Sequence, residues 1–307
     1  MQRYIVLRIA QGILTVWVVV SVVFLLGRVT GDPVELMLAM EATEEQRIQV
    51  RKSLGLDKPL IVQYGIYMAS LARFDLGESL LSKVKVRDLL AKRLAKSLKL
   101  AAFSMIVTLI FAFPLGVIAA VRRGSGLDMF ARLVAVLGQS LPHFWVGLIL
   151  MEIFAVRLRW LPVGGSEGLR SYLLPGFTMG WFITAGIMRL IRSSMLEVLG
   201  SDYILFARVK GVSRSGVIWK HALRNALLPV VTFSGMYFAL LIGGAVVIET
   251  VFAWPGIGRL AYLAVMDRDF TIIQGVVIVI AGIVAAVNLV VDIVYYWIDP
   301  RIRLNKA

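Results

Sequence analysis

Six long apolar stretches alternate with polar segments along the 307-residue chain, at Ile9–Gly27, Leu98–Val121, Phe130–Val156, Tyr172–Leu190, Leu228–Val251 and Ile272–Ile298. A helix needs about 20 mostly apolar residues to cross roughly 30 Å of hydrocarbon, so each stretch predicts one membrane-spanning helix. The first follows Arg3 and Arg8 in the manner of a signal peptide. Its apolar core is longer than such a segment's and no small-x-small cleavage site follows, so an uncleaved span is expected. The pattern predicts an all-α polytopic protein. Residues 1–93 hold the first span and a long extracytoplasmic segment, and residues 94–307 hold a five-span body with an organised loop at about 192–228.

Charge sets the orientation. With the N-terminus in the cytoplasm, the inside segments carry 15 basic residues and the two short outside loops carry 5, namely Arg157, Arg159, Arg170, Arg259 and Arg268. That bias puts both termini in the cytoplasm. The segment from Arg28 to Lys96 holds 12 Lys and Arg residues and nine acids, but at 69 residues it is too long for the rule to apply. Its amphipathic pattern around Glu44–Leu54 predicts short helices outside the membrane, with Thr43 and Gln46 spaced as a capping box.

Composition narrows the function. The chain is 59% hydrophobic and 17% charged, against about 25% charged in soluble domains, so it needs lipid around it. A net charge of +14 suggests nucleic acid only on a soluble scaffold with a basic face; here the charges sit between apolar runs, which excludes that partner. There is no cysteine, and His143 and His221 are the two histidines, so neither thiol chemistry nor an all-protein transition-metal site is expected.

Some residues inside the spans depart from the apolar pattern. Gly176-x-x-x-Gly180 and Ala239-x-x-x-Gly243 offer small faces for helix packing. Pro114, Pro142 and Pro175 permit kinks. Glu152, Glu249, Asn288 and Asp292 are polar residues at membrane depth; each fits either a pathway lining or a helix-to-helix hydrogen bond or snorkelling contact. Glu152, Glu249 and Asp292 are the candidate pathway acids. His143 follows Ser140-Leu141-Pro142 at a helix break, where a packed neutral imidazole and a pH-sensitive gate are the two readings.

The loop between the fourth and fifth spans is too organised for a connector. Asp202 is placed to cap a short helix whose end carries Arg208 and Lys210, and Gly211 falls at the left-handed C′ position. Ser213 is placed to start a second short helix through Trp219, His221 and Asn225 toward Pro229. Two helices hinged by glycine make a knob that transmits force once something grips it. The chain has no GxxxxGK[ST] phosphate loop, so a motor that burns ATP would be a separate subunit.

Gly211 with His221-Ala222-Leu223-Arg224-Asn225-Ala226-Leu227-Leu228-Pro229 closely resembles the signature loop of ABC importer permeases of the dipeptide/oligopeptide/nickel family. Further matches run in order along nearly the whole chain: Gly31-Asp32-Pro33, Leu54-Gly55-Leu56-Asp57-Lys58-Pro59-Leu60, Asp75-Leu76-Gly77, Trp160-Leu161-Pro162, Glu249-Thr250-Val251-Phe252-Ala253-Trp254-Pro255-Gly256 and Asp299-Pro300-Arg301-Ile302-Arg303. The chain departs from the family at Leu205 and Phe206, where small or polar residues usually precede the motif alanine, here Ala207.

The resemblance implies a type I importer permease in the cell's inner membrane. It implies a second homologous permease, two cytoplasmic ABC ATPases that bind ATP and Mg, and an extracytoplasmic solute-binding protein. No cofactor is implied for this chain. Asp202, Tyr203, Phe206, Ala207, Arg208, Lys210 and Gly211 would contact the ATPase, with His221, Arg224, Asn225 and Pro229 supporting the loop. The cargo would be a di- or oligopeptide or a related small solute such as a nickel chelate or glutathione. Near Trp254-Pro255-Gly256, the amphipathic Leu260–Met266 stretch would gate the path or touch the binding protein, an interfacial aromatic anchor being the alternative.

Two other classes fit less of the sequence. A secondary transporter of this size often shows internal repeats and paired broken helices, and no internal repeat is apparent. An intramembrane hydrolase needs a base beside its nucleophile; Ser140 lies near His143, but no third member or oxyanion-hole motif accompanies them.

Overall fold

The computed structural model describes residues 2–29, 34, 43–53 and 55–298. The Gly31-Asp32-Pro33 and Asp299-Pro300-Arg301-Ile302-Arg303 motifs, Leu54 and the side chain of Gln46 lie outside the described residues. Helices α1 (Gln2–Val29), α2 (Glu44–Ser53), α3 (Leu60–Ala72) and α4 (Val86–Val121) come first in the chain. They are followed by α5 (Gly126–Ser140), α6 (His143–Leu150, running into a π-helical segment Met151–Arg157) and α7 (Arg170–Leu199). The chain continues with α8 (Asp202–Val209), α9 (Arg214–Gly216), a second π-helical segment (Val217–Ala222), α10 (Leu223–Gly244), α11 (Val246–Val251), α12 (Ile257–Met266) and α13 (Phe270–Ile298). Among the described residues there is no strand, only an isolated bridge between Glu78 and Lys85.

Among the described residues five helices are long and apolar enough to cross a membrane, and a sixth span forms if α5 and the α6 segment count as one bent rod. That rod turns through 102° at Leu141-Pro142. The third span expected as one run is therefore two pieces: Pro142 has no N–H to continue the ladder of α5, and it sits instead as the N-cap of α6. The fifth span also differs from the continuous run expected. It begins earlier, because the helix entered at Ser213 passes through the π-helical segment straight into α10, and it breaks at Ala245 before α11.

The chain divides into two compact units. One comprises residues 1–96 and 255–285. Its core is Val86 and Leu90 of α4 with Ile257, Leu260 and Ala264 of α12 and Ile272 and Val276 of α13. Asp269 closes this core, accepting 2.6 Å from the Ser79 hydroxyl and 3.2 Å from the Ile272 N–H at the start of α13. Helix α3 rests on α1 through Phe24, whose ring meets Tyr64 edge-on at 5.4 Å and Tyr67 at 5.2 Å. Burial pushes the Tyr67 hydroxyl up to about 12.

The other unit comprises residues 97–254 and 286–307. Helix α7 runs through it as the most enclosed span, packed against α5, α6 and α10. Small residues allow the approach: a methyl on Gly138 would meet the Ala185 side chain at 2.6 Å, and one on Gly180 would meet Thr108 at 2.8 Å. Gly176 takes the ring of Phe103 in the same way, so the Gly176/Gly180 face packs on α4. Trp254 is fully buried and meets Tyr172 edge-on at 4.6 Å. This removes Trp254 as an interfacial anchor.

Candidate functional site

The loop between α7 and α10 folds as a compact hairpin. Helix α8 begins at Ser201, which has the extended N-cap conformation (φ −80°, ψ 153°), and Asp202 is the first residue inside. The cap expected at Asp202 is therefore displaced by one position. The Ser201 hydroxyl donates to the Val198 carbonyl at 2.6 Å instead of capping, which leaves the Asp202 carboxylate to favour the positive helix start.

The end of α8 is closed by backbone geometry. Gly211 has φ +80°, its N–H donates to the Arg208 carbonyl at 3.0 Å, and the Val212 N–H donates to the Ala207 carbonyl at 3.1 Å. These paired bonds form a Schellman cap, for which glycine is the favoured C′ residue. No atom stands within 4 Å of where a Gly211 side chain would begin, so the position demands glycine for its backbone and not for space. Ser213 then caps the next helix, accepting from the Gly216 N–H at 3.2 Å. That helix is the root of the fifth span and not the second short helix expected.

One side chain anchors α8: Ile204 is fully buried. Leu205, Phe206 and Val209 point outward, with Phe206 67% and Val209 78% exposed. Lys210 and Arg208 flank them, also exposed, and Ala207 is half-buried. The support residues meet α8 at one place, where the Asn225 amide donates to the Tyr203 hydroxyl and to the His221 carbonyl, each at 2.9 Å. Arg224 is exposed, and His221 and Pro229 are half-buried. Between the hairpin and the ends of α4 and α7 lies a cavity of about 430 Å³ lined by Val121, Leu199, Arg208, Val212, Arg214, Val217 and Ile218.

Beneath the hairpin, Asp128 and Arg192 join α5 to α7. The carboxylate is 1% exposed and takes both Nε (2.7 Å) and Nη2 (3.1 Å) of Arg192, with Arg132 at 3.6 Å. It also accepts from the Gly124 N–H at 3.0 Å, while the Asp128 N–H donates to Ser125 Oγ at 3.4 Å. A two-pronged guanidinium contact fixes orientation as well as distance. Arg192 lies on the last turns of α7, so this brace holds the segment from which the hairpin departs.

The three candidate pathway acids are not brought together. Glu152 is half exposed and pairs with Arg157 at 3.0 Å. Glu249 is fully buried and accepts 2.5 Å from the Ser97 hydroxyl. Asp292 is half-buried on α13, and Asn288 is exposed. The Asp128–Arg192, Ser97–Glu249 and Ser79–Asp269 contacts escape sequence reasoning. The one sequence signal among them is Ser125-Gly126-Leu127-Asp128, a serine-to-acid capping pattern that marks Asp128 as held at a helix start.

Residues 112–304 match the family of binding-protein-dependent transport system inner membrane components, and residues 1–101 match the N-terminal region of the same membrane components. The chain belongs to this family. The permease is 40% identical over 304 residues to the glutathione transport system permease protein GsiC of Escherichia coli K12, covering 99% of both chains. The GsiC of Salmonella paratyphi A matches to the same extent. Its fold resembles the inward-facing MetNI methionine ABC transporter (TM-score 0.58, 18% identity, 69% of this chain and 96% of that one). It also resembles an amino acid ABC transporter (TM-score 0.52, 15% identity, 70% and 94%). The permease is thus an ABC importer subunit of the peptide/nickel type with a type I fold, a multi-pass inner-membrane protein whose ATPase is a separate subunit.

Proposed function

We propose that the permease carries a small peptide-like solute, of the class to which glutathione and dipeptides belong, and that α8 is the lever through which ATP hydrolysis moves it. The identity with the glutathione permeases over almost the whole chain supports the solute class. The open apolar face of α8 supports the lever. A second homologous permease completes the path, two ATPases grip the hairpins, and an extracytoplasmic binding protein delivers the solute. Both termini and Gly211 then lie in the cytoplasm. Residues 1–93 form an added span and outer segment ahead of the 94–307 permease body.

The observation that carries the coupling role is the combination in α8 of a rigid root and an unsatisfied tip. Ile204, the Tyr203–Asn225 bond and the Schellman cap fix the helix, while Leu205, Phe206 and Val209 remain open for an apolar cleft. Asp202, Arg208 and Lys210 frame the contact, and Ala207 sits at its centre. His221, Arg224 and Pro229 shape the root of the hairpin. Of the three acids, Glu249 suits a latch between α11 and α4, whereas Glu152 and Asp292 remain the pathway candidates. Alternating access requires that ATP and the loaded binding protein each favour one state over the other.

The test is Gly211→Asp. The substitution strains the left-handed turn and places a carboxylate on the docking face, so uptake should fall at least tenfold while the transporter assembles and hydrolyses ATP. Coupled uptake at the parent rate in that variant sinks the lever. Cysteine labelling of Gly211→Cys in intact cells checks the sidedness, and reaction with an impermeant reagent from outside would refute it.

A further inference from the structure

We propose that Arg189, with Gln139 and Tyr237, forms a carboxylate-binding station on the translocation path. One face of α7 carries Met179, Phe182, Ile183, Gly186 and Arg189 at helical spacing. The first three line an apolar cavity of about 250 Å³ together with His143 of α6 and Leu240 and Leu241 of α10. Arg189 lines a second cavity of about 260 Å³ with Arg132, Gln139 and Arg192.

Gly186 stands between the two. A methyl there would lie 3.0 Å from the Tyr237 hydroxyl and 3.8 Å from the Gln139 amide nitrogen, so side chains of α5 and α10 close in over the bare backbone of α7. Polar groups of α5 and α10 therefore flank Gly186, which lies in sequence between the α7 residues that line the two cavities.

The charges of the basic chamber are unequal. Arg192 and Arg132 share Asp128, but among the described residues Arg189 has no acidic partner. Gln139 and the Tyr237 hydroxyl likewise make no hydrogen bond within the described chain. Arg189 is exposed and Gln139 and Tyr237 are half-buried, so an uncommitted cation stands with two uncommitted polar groups where an anionic ligand can reach them. Guanidinium presents the fork that matches a carboxylate. A phospholipid phosphate would offer similar chemistry, and the measurements below separate the two sources.

The inference rests on the peptide-like solute proposed above, whose members all carry carboxylates. It is tested in proteoliposomes holding the complete transporter, by measuring uptake of glutathione and of its diamide. Any acid preference of the binding protein is common to parent and variant, so the change in the acid-to-amide ratio isolates the station. Arg189→Gln should lower glutathione uptake about tenfold or more and diamide uptake less than twofold, with Arg189→Lys between it and the parent.

Tyr237→Phe removes one oxygen and should lower the ratio severalfold, and it carries the test if Arg189→Gln does not assemble. An unchanged ratio in both variants overturns the station while leaving the solute class intact. Loss of bound anionic phospholipid with an unchanged ratio overturns it too and identifies a lipid ligand. A parent transporter that carries neither compound nor any short peptide removes both proposals.

Discussion

Helices α8 and α12 are both short, both amphipathic, and both begin after an extended residue that gives no side-chain cap. They differ in what their apolar faces meet. On α12, Ile257, Leu260 and Ala264 fall on one face and are buried against α4 and α13, so the chain itself satisfies them. On α8, Ile204 is the buried residue and the remaining apolar side chains stay open. A similar periodicity is therefore satisfied within the chain in one place and left open in the other. What separates them is the partner surface, which for α12 lies within its own unit and for α8, in the lever proposed above, comes from the ATPase.

This contrast predicts effects that differ in kind as well as in size. Ile257→Asp puts an unpaired charge into the α12 core, a loss of several kcal/mol, and should abolish accumulation of the full-length permease in membranes, read by quantitative blotting. Leu260→Ala leaves a cavity in the same core worth about 2–4 kcal/mol, and should lower the thermal midpoint of the purified transporter with little change in ATPase affinity. Phe206→Ala should do the reverse. Its midpoint stays within the error of measurement, while the affinity of the membrane subunits for the purified ATPase falls about tenfold or more, as for an aromatic anchor at an interface. Gly211→Asn should have the smallest effect, less than about 1 kcal/mol, because asparagine tolerates the left-handed turn without adding charge. If Phe206→Ala instead destabilises the transporter before the ATPase is added, the open face of α8 is part of the core and the contrast fails.

What can be read from the sequence is what the chain encodes locally. Apolar length marks the spans, Gly211 marks the left-handed turn and Ser213 the helix start, because each depends on neighbours a few residues away. The break at Leu141-Pro142 is visible as a proline, yet its 102° bend depends on the tertiary setting. The contacts between residues distant in the chain are not visible. Arg192 is 64 residues from Asp128, Ser97 is 152 from Glu249, and Ser79 is 190 from Asp269, so nothing in local pattern pairs them. Asp202 shows the reverse error: it has the chemistry of a cap, but the chain turns one residue earlier, at Ser201.

The wide turns at Val217–Ala222 have a mechanical corollary. A π-helical stretch holds one residue more than the α-helical ladder needs, and that surplus can be absorbed or released without unfolding its neighbours. Its position between the Ser213 start and α10 makes it an adjustable joint at the base of the proposed lever. Removing a single residue there would turn the hairpin about 100° around the axis of the fifth span, aiming Phe206 away from the proposed cleft without altering one residue of α8.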